Sequence, residues 1–319
     1  MLGASWSITW EWRSLKPTTR ALFQIHFCIF LAGFTAILGK AITLAALPLV
    51  WWRMVIVVAA LMMVPRFWKG LAGIHGKTIA IYLCVGIIVA VHWLTFYASI
   101  KLSNASVAAT CMAFTSLFIA FFEPVMTRRA FDSREIFFGL AIIPGVALLV
   151  GGTPAQMRTG LALGVLSAFL FAMFSILNKR FIDRGAALSI TGIEMASGAF
   201  CLTMLAWILP GGSLFVVPSG YDAVLLLALA LACTLLPFAL SLVALRHLSA
   251  FTTALVLNME PVYAILLAIL IFREQQQLSP GFYAGVVIIL AVVFSHPLLT
   301  SAAERLPRSS SGGRCNPVL

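Results

Sequence analysis

Charge is scarce in this chain: Asp, Glu, Lys and Arg make up 10% of its 319 residues, and only ten residues are acidic. Soluble domains carry about 25% charged and about 45–50% apolar residues, so a water-soluble globule is excluded. Cysteine pairs are missing as well. Cys28, Cys84, Cys111, Cys201, Cys233 and Cys315 show neither Cys-x-x-Cys spacing nor clustering with the five histidines. Five of them fall inside apolar runs, where a free thiol behaves as a small apolar side chain, so no disulfide and no zinc or other metal site is expected. Cys315 is followed by Asn-Pro-Val-Leu, one residue too many for a prenylation box. Metalloprotease His-Glu-x-x-His, phosphate-loop and dinucleotide-binding glycine motifs are absent from any credible context. Nucleotide hydrolysis within the chain is thereby removed as a power source, and no cofactor is expected. The scattered histidines offer no nucleophile with a base, so an intramembrane enzyme is the weakest alternative. Basic runs interleaved with aromatics are lacking too, so the formal charge of +11 does not point to nucleic acid.

What is there is apolar: 62% of the residues are hydrophobic and the mean hydropathy is +1.06. A helix crossing the hydrocarbon core needs about 20 apolar residues, so the chain is read as an all-α membrane protein with ten transmembrane helices. The spans are expected at about 21–43, 46–64, 77–100, 103–126 and 135–152, then 160–182, 187–209, 221–244, 248–272 and 281–299. Unbroken runs of this length are helical rather than barrel strands. Residues 1–20 form a short net-basic segment and 300–319, with Pro307, Ser309–Ser311 and Gly312–Gly313, a disordered tail. The first apolar run is too long for a cleaved signal.

With the amino terminus inside, sixteen basic residues between Arg13 and Arg314 lie inside, and only Lys40, Lys101, Arg158 and Arg273 lie outside. The positive-inside rule therefore expects a multi-pass protein of the cytoplasmic (inner) membrane with both termini cytoplasmic. The chain also aligns with itself. Cys28–Lys40 matches Ser167–Lys179, sharing a Phe-Leu pair, an Ile-Leu pair and the final lysine, and Ser99–Ser103 matches Ala244–Leu248 at a similar shift. Five spans per half force the second half, 160–299, to enter the membrane upside down relative to the first, 21–152. Inverted five-helix repeats of this kind build secondary transporters, with a site near the midplane where the halves meet.

The five-plus-five layout, the tiny turns after spans three and eight, the lysines closing spans one and six, and Asn258-Met-Glu-Pro-Val-Tyr263 in span nine resemble the EamA-like family of the drug/metabolite transporter superfamily. The resemblance covers about residues 21–299. It implies a cavity lined by spans one to four and six to nine, with spans five and ten behind them, and export of a small organic metabolite such as an amino acid or similar amphipathic compound. A flippase for a lipid-linked substrate is the alternative. One departure is plain: Thr115-Ser116 in the first half stand where the second has Glu260-Pro261.

An ionisable side chain at the bilayer centre costs about 2.5–3.5 kcal/mol on insertion scales, so those present are expected to face the interior. Glu260 sits near the middle of span nine, and Pro261 frees the Leu257 carbonyl. Thr253 and Tyr263 share its helical face, and Asn258 does so if the proline distorts the turn. Either Glu260 lines the pathway, with a proton or other ion as a possible coupling partner, or it is locked to an arginine as a structural bolt. Arg53, after Trp51-Trp52, is its expected partner. Its aligned position is Glu194, expected to pair with Lys179 and, with Thr191, Ser197, Gly198 and Cys201, to form a polar stripe on the cavity. The two pairs would be alternating gates. Lys40 and Lys179 either snorkel to water or face the cavity. Asn178 and Lys179 share a face with Ser175. His92 is either a hydrogen-bonded packing residue or a proton carrier, and Trp93 and Tyr97 on its face are cavity lining or lipid contacts. Pro144 and Pro237 are candidate flex points, and Glu123-Pro124 is expected at the interface.

Overall fold

A computed structural model describes residues 17–128, 137, 140–208, 213–245, 248, 256 and 259–305. Among these residues there are helices and no strand. In order they are α1 (Pro17–Ala41), α2 (Ala46–Met62), α3 (Pro65–Ala72), α4 (Gly76–Leu102), α5 (Ala105–Met112), α6 (Phe114–Thr127), α7 (Ile143–Gly152), α8 (Arg158–Phe181), α9 (Ala187–Ile208), α10 (Gly220–Leu227), α11 (Leu236–Leu245), α12 (Met259–Phe272) and α13 (Pro280–Arg305). A π-helical stretch, Ala228–Leu235, joins α10 to α11 without a break. The amino-terminal segment before Pro17, the tail beyond Arg305, Thr253 and Asn258 lie outside the described residues. Helix α13 runs past the expected end of span ten, so residues 300–305 are helical rather than tail.

Among the described residues, six helical stretches are long and apolar enough to cross a membrane, and a seventh is if α2 and α3 count as one span bent by 87°. The bend has a local cause. Val64 is extended, as a residue before proline prefers, and Pro65 opens α3. Helix α3 then lies against α9, where Phe67 packs over Gly192 and the Ser189 hydroxyl donates to the Phe67 carbonyl at 2.9 Å. Three shorter apolar stretches complete the set: Ile143–Gly152, Met259–Phe272 and Pro280–Val292.

Contacts between the two halves of the chain hold the bundle. Helix α4 packs on α8 and α9, α1 on α11 and α12, α2 on α9, and α6 on α8. Helix α7 packs on α13, and there the backbones nearly touch: a Cβ on Gly285 would come within 2.6 Å of the Gly145 carbonyl oxygen. Small residues that let backbones approach are how helices bind in lipid, where tails are as apolar as leucine and burial itself gives little drive.

Candidate functional site

A cavity opens inside this bundle. Its lining includes Ile25, Ile29 and Thr35 of α1, Arg53 of α2, His92, Trp93 and Phe96 of α4, Ile119 and Glu123 of α6, Phe171, Ser175, Asn178 and Lys179 of α8, Thr234 of the π stretch, Pro237 of α11, and Glu260 of α12. The lining positions run from mid-helix to the end of the bundle where α1 begins and α6, α8 and α11 finish. The walls are apolar and aromatic, with Phe171 and Phe174 edge-on at 4.7 Å and Phe238 stacked on Phe174 at 6.4 Å.

Arg53 is the deep end of the cavity. It is 3% exposed, and its guanidinium lies over the Trp93 ring at 3.7 Å. Nε donates to Thr234 Oγ1 at 2.5 Å and Nη1 donates to the Tyr97 hydroxyl at 2.8 Å. A guanidinium has five N–H donors, so three remain beyond these two bonds. Thr234 was not singled out by the sequence. It reaches Arg53 because of the π winding: its hydroxyl donates to the Leu229 carbonyl five residues back at 2.5 Å while accepting from Arg53. Pro237, three residues on, has no N–H to continue the α-helical ladder. π turns within α-helices are frequent at functional sites.

Glu260 lines the same cavity as Arg53. The expected direct pair is not formed, however: no Arg53–Glu260 ion pair within 4.0 Å occurs. Arg53 is instead satisfied by neutral oxygens and an aromatic face, which stabilise it without closing the cavity. Nor does Glu194 pair with Lys179. Both Glu194 carboxyl oxygens are buried without a hydrogen-bond partner, and Lys179 Nζ donates to the Leu248 carbonyl at 3.1 Å.

The polar stripe of α9 also differs from expectation. Glu194, Thr191, Ser197 and Gly198 face neighbouring helices rather than the cavity. The Ser197 hydroxyl donates to the Leu83 carbonyl at 2.6 Å, and a Cβ on Gly198 would meet the Met54 side chain. Their small size lets α4 and α2 come close, which a hydropathy pattern cannot distinguish from a wet face.

His92 is 4% exposed and its Nδ1 lies 2.9 Å from the Ser167 carbonyl and 2.8 Å from the Ser167 hydroxyl, a hydrogen-bonded packing geometry at the cavity wall. Trp93 is cavity lining, whereas Tyr97 is wholly buried behind it as a ligand of Arg53. Tyr263 packs beside Gly33 and Phe30 on the α1–α12 contact and is not part of the lining. Glu123, expected at the interface, lines the cavity.

Lys40 is neither snorkelling nor cavity-facing. Its Nζ lies 2.5 Å from Glu274 Oε1, a residue that no local sequence pattern marks. Glu274 is 0% exposed and also accepts from the backbone N–H groups of Ala105 and Ser106 at 3.1 and 2.7 Å. Those are the first N–H groups of α5, where partial positive charge favours an anion. Around it Asn104 Nδ2 donates to Gln277 Oε1 at 3.2 Å, Thr43 bonds both Asp222 oxygens at 3.0 and 2.5 Å, and Lys101 donates to the Ile42 carbonyl. This polar network closes the end of the bundle opposite the cavity mouth.

No curated protein matches the chain by sequence. A solved structure described only as "Crystal structure of protein" resembles it with a TM-score of 0.61 at 16% identity, over 90% of this chain and 99% of that one. At that identity the likeness is one of fold. Residues 158–296 match the family described as the EamA-like transporter family, consistent with the drug/metabolite transporter superfamily, and the apolar helices that surround the cavity are those of a multi-pass membrane protein.

Proposed function

We propose that the chain exports a small zwitterionic or similarly amphipathic metabolite, such as an amino acid, across the cytoplasmic membrane by alternating access. The observation that carries this reading is the cavity itself, with Arg53 and Glu260 present but not bonded to one another. The unused guanidinium donors suit a substrate carboxylate, which arginine holds through two parallel bonds. Glu260 across the cavity suits an ammonium group, and Trp93, Phe96, Phe171 and Phe174 suit an apolar side chain.

Ten spans in two inverted halves, 21–152 and 160–299, belong to the same proposal. Matched cross-half contacts support it: α1 with α11 and α4 with α8, α1 with α12 and α6 with α8. So does the placing of the two left-handed non-glycine residues among those described, Arg128 and Arg273, one in each half. In the orientation that the basic residues favour, the cavity opens inward and the Lys40–Glu274 network closes the outer side.

The test is counterflow in proteoliposomes against labelled amino acids, nucleosides and cofactors. Exchange of zwitterionic amino acids, lost in both Arg53→Ala and Glu260→Gln, is expected. Exchange that survives both substitutions, or movement of a lipid-linked compound with no exchange of soluble ones, would overturn the proposal.

A further inference from the structure

The Glu194 carboxyl stands outside everything that this substrate reading uses. It is 0% exposed, neither oxygen has a hydrogen-bond partner, and it does not line the cavity. Helix α9 packs against α4, α2, α3 and α11, and the titratable groups on those elements are engaged elsewhere or lie in the open. On α4, the Tyr82 hydroxyl donates to the Phe181 carbonyl at 2.7 Å, His92 is bonded to Ser167, and Tyr97 is bonded to Arg53. Lys77 and Cys84 are exposed, and Lys101 donates to Ile42. Arg53 is the titratable group of α2 and is held by Thr234, Tyr97 and Trp93. Arg66 and Lys69 of α3 are exposed, and α11 carries no titratable residue. On α9 itself Cys201 is half-buried.

A carboxylate buried without a partner carries a desolvation penalty of several kcal/mol, and burying the neutral acid avoids most of it. Asn178 of α8 is a polar side chain beside Glu194. Asn178 Oδ1 is also buried without a donor. A single proton on one of the two unpartnered Glu194 carboxyl oxygens removes the buried charge without calling for a cation.

We propose that Glu194 is a proton-binding site of this protein, neutral in the present conformation, with Asn178 as its connection to the cavity. Asn178 is 3% exposed but lines the cavity, so a shift of α8 would bring water to the pair. The acid would then lose its proton to a cavity water, leaving a carboxylate and a hydronium ion, and regain it by the reverse step. Where the proton binds is independent of the substrate. Its role as coupling ion rests on the transport reading.

The experiment is infrared spectroscopy of the full chain in lipid nanodiscs, titrated in pH. A C=O stretching band of a protonated, poorly hydrated carboxyl is expected at neutral pH. It should vanish in Glu194→Gln, persist in Glu260→Gln and move in frequency in Asn178→Leu, which removes the neighbouring amide. Absence of the band in the unsubstituted protein, or its survival in Glu194→Gln, would overturn the proposal. Should Glu194→Gln not fold, an unmoved band in Asn178→Leu would do the same. In proteoliposomes with a labelled amino-acid mixture, accumulation driven by a pH gradient should fall in Glu194→Gln to the level seen without a gradient. Undiminished accumulation would overturn the coupling role. Transport failing in every form with the band intact would count against the substrate reading instead.

Discussion

Arg53 shows how a guanidinium is kept inside an apolar bundle without a counter-carboxylate. Two neutral hydroxyls take two of its donors and the Trp93 face takes its charge. Cation–π contacts reach about 2 kcal/mol when desolvated, and hydrogen bonds to a charged group contribute about 1.5–3 kcal/mol. Lysine would keep the charge but lose the planar fork. Arg53→Lys is therefore expected to raise the apparent KM for the proposed zwitterionic substrate about tenfold or more, since about 1.4 kcal/mol is tenfold. An unchanged KM in proteoliposome uptake would remove Arg53 from the binding site. Packing makes an equally sharp residue-level prediction. A Cβ on Gly86 would lie 2.3 Å from the Glu194 carbonyl oxygen, whereas one on Gly151 would meet nothing within 4 Å. Gly86→Ala should destabilise the folded protein by about 1–3 kcal/mol, the usual cost of overpacking, and lower its thermal midpoint in detergent. Gly151→Ala should leave that midpoint unchanged or slightly raised. Equal midpoints for the two variants would contradict the close α4–α9 approach.

Among the helices, the two least regular features do the most to shape the site. The π stretch places Thr234 under Arg53, so Thr234→Val removes an acceptor from the guanidinium and a donor from the Leu229 carbonyl at once. A loss of about 1–3 kcal/mol follows from leaving such a buried group unsatisfied, read as a lowered thermal midpoint together with weaker substrate binding. At the opposite end, Glu274 joins α1 to α5 through Lys40 and two backbone N–H groups. Breaking a buried ion pair costs about 3–5 kcal/mol, and less here because Lys40 keeps 26% of its side-chain surface exposed. Lys40→Met and Glu274→Gln should each destabilise the protein, while the double variant should lose less than the sum of the two single losses. Strict additivity in a thermal double-mutant cycle would show that the pair contributes nothing.

These elements also show what a sequence can reveal. Apolar length is enough to read an all-helical membrane protein, and Arg53, Glu260, Ser175, Asn178, Lys179, His92 and Trp93 line one cavity. The pairing was not legible. Lys40 and Glu274 are 234 residues apart, and nothing local marks a carboxylate as the cap of a distant helix. Helical periodicity likewise ranks a polar stripe by its face but not by what covers it. That is why Glu194 was expected on the cavity and is found packed against Gly86.

The molecule as a whole is asymmetric between its two ends. A polar network seals one, and the cavity extends toward the other from the middle of the bundle. The proposed alternating access requires the reverse arrangement to be reachable, with the seal broken and the opposite mouth closed. Ser175 on the cavity wall reports on this directly. With the native cysteines replaced, Ser175→Cys should react with a membrane-impermeant thiol reagent in both right-side-out and inside-out vesicles, at rates that shift oppositely when transported substrate is added. Labelling confined to one membrane face, with and without substrate, would contradict alternating access to the Arg53–Glu260 cavity.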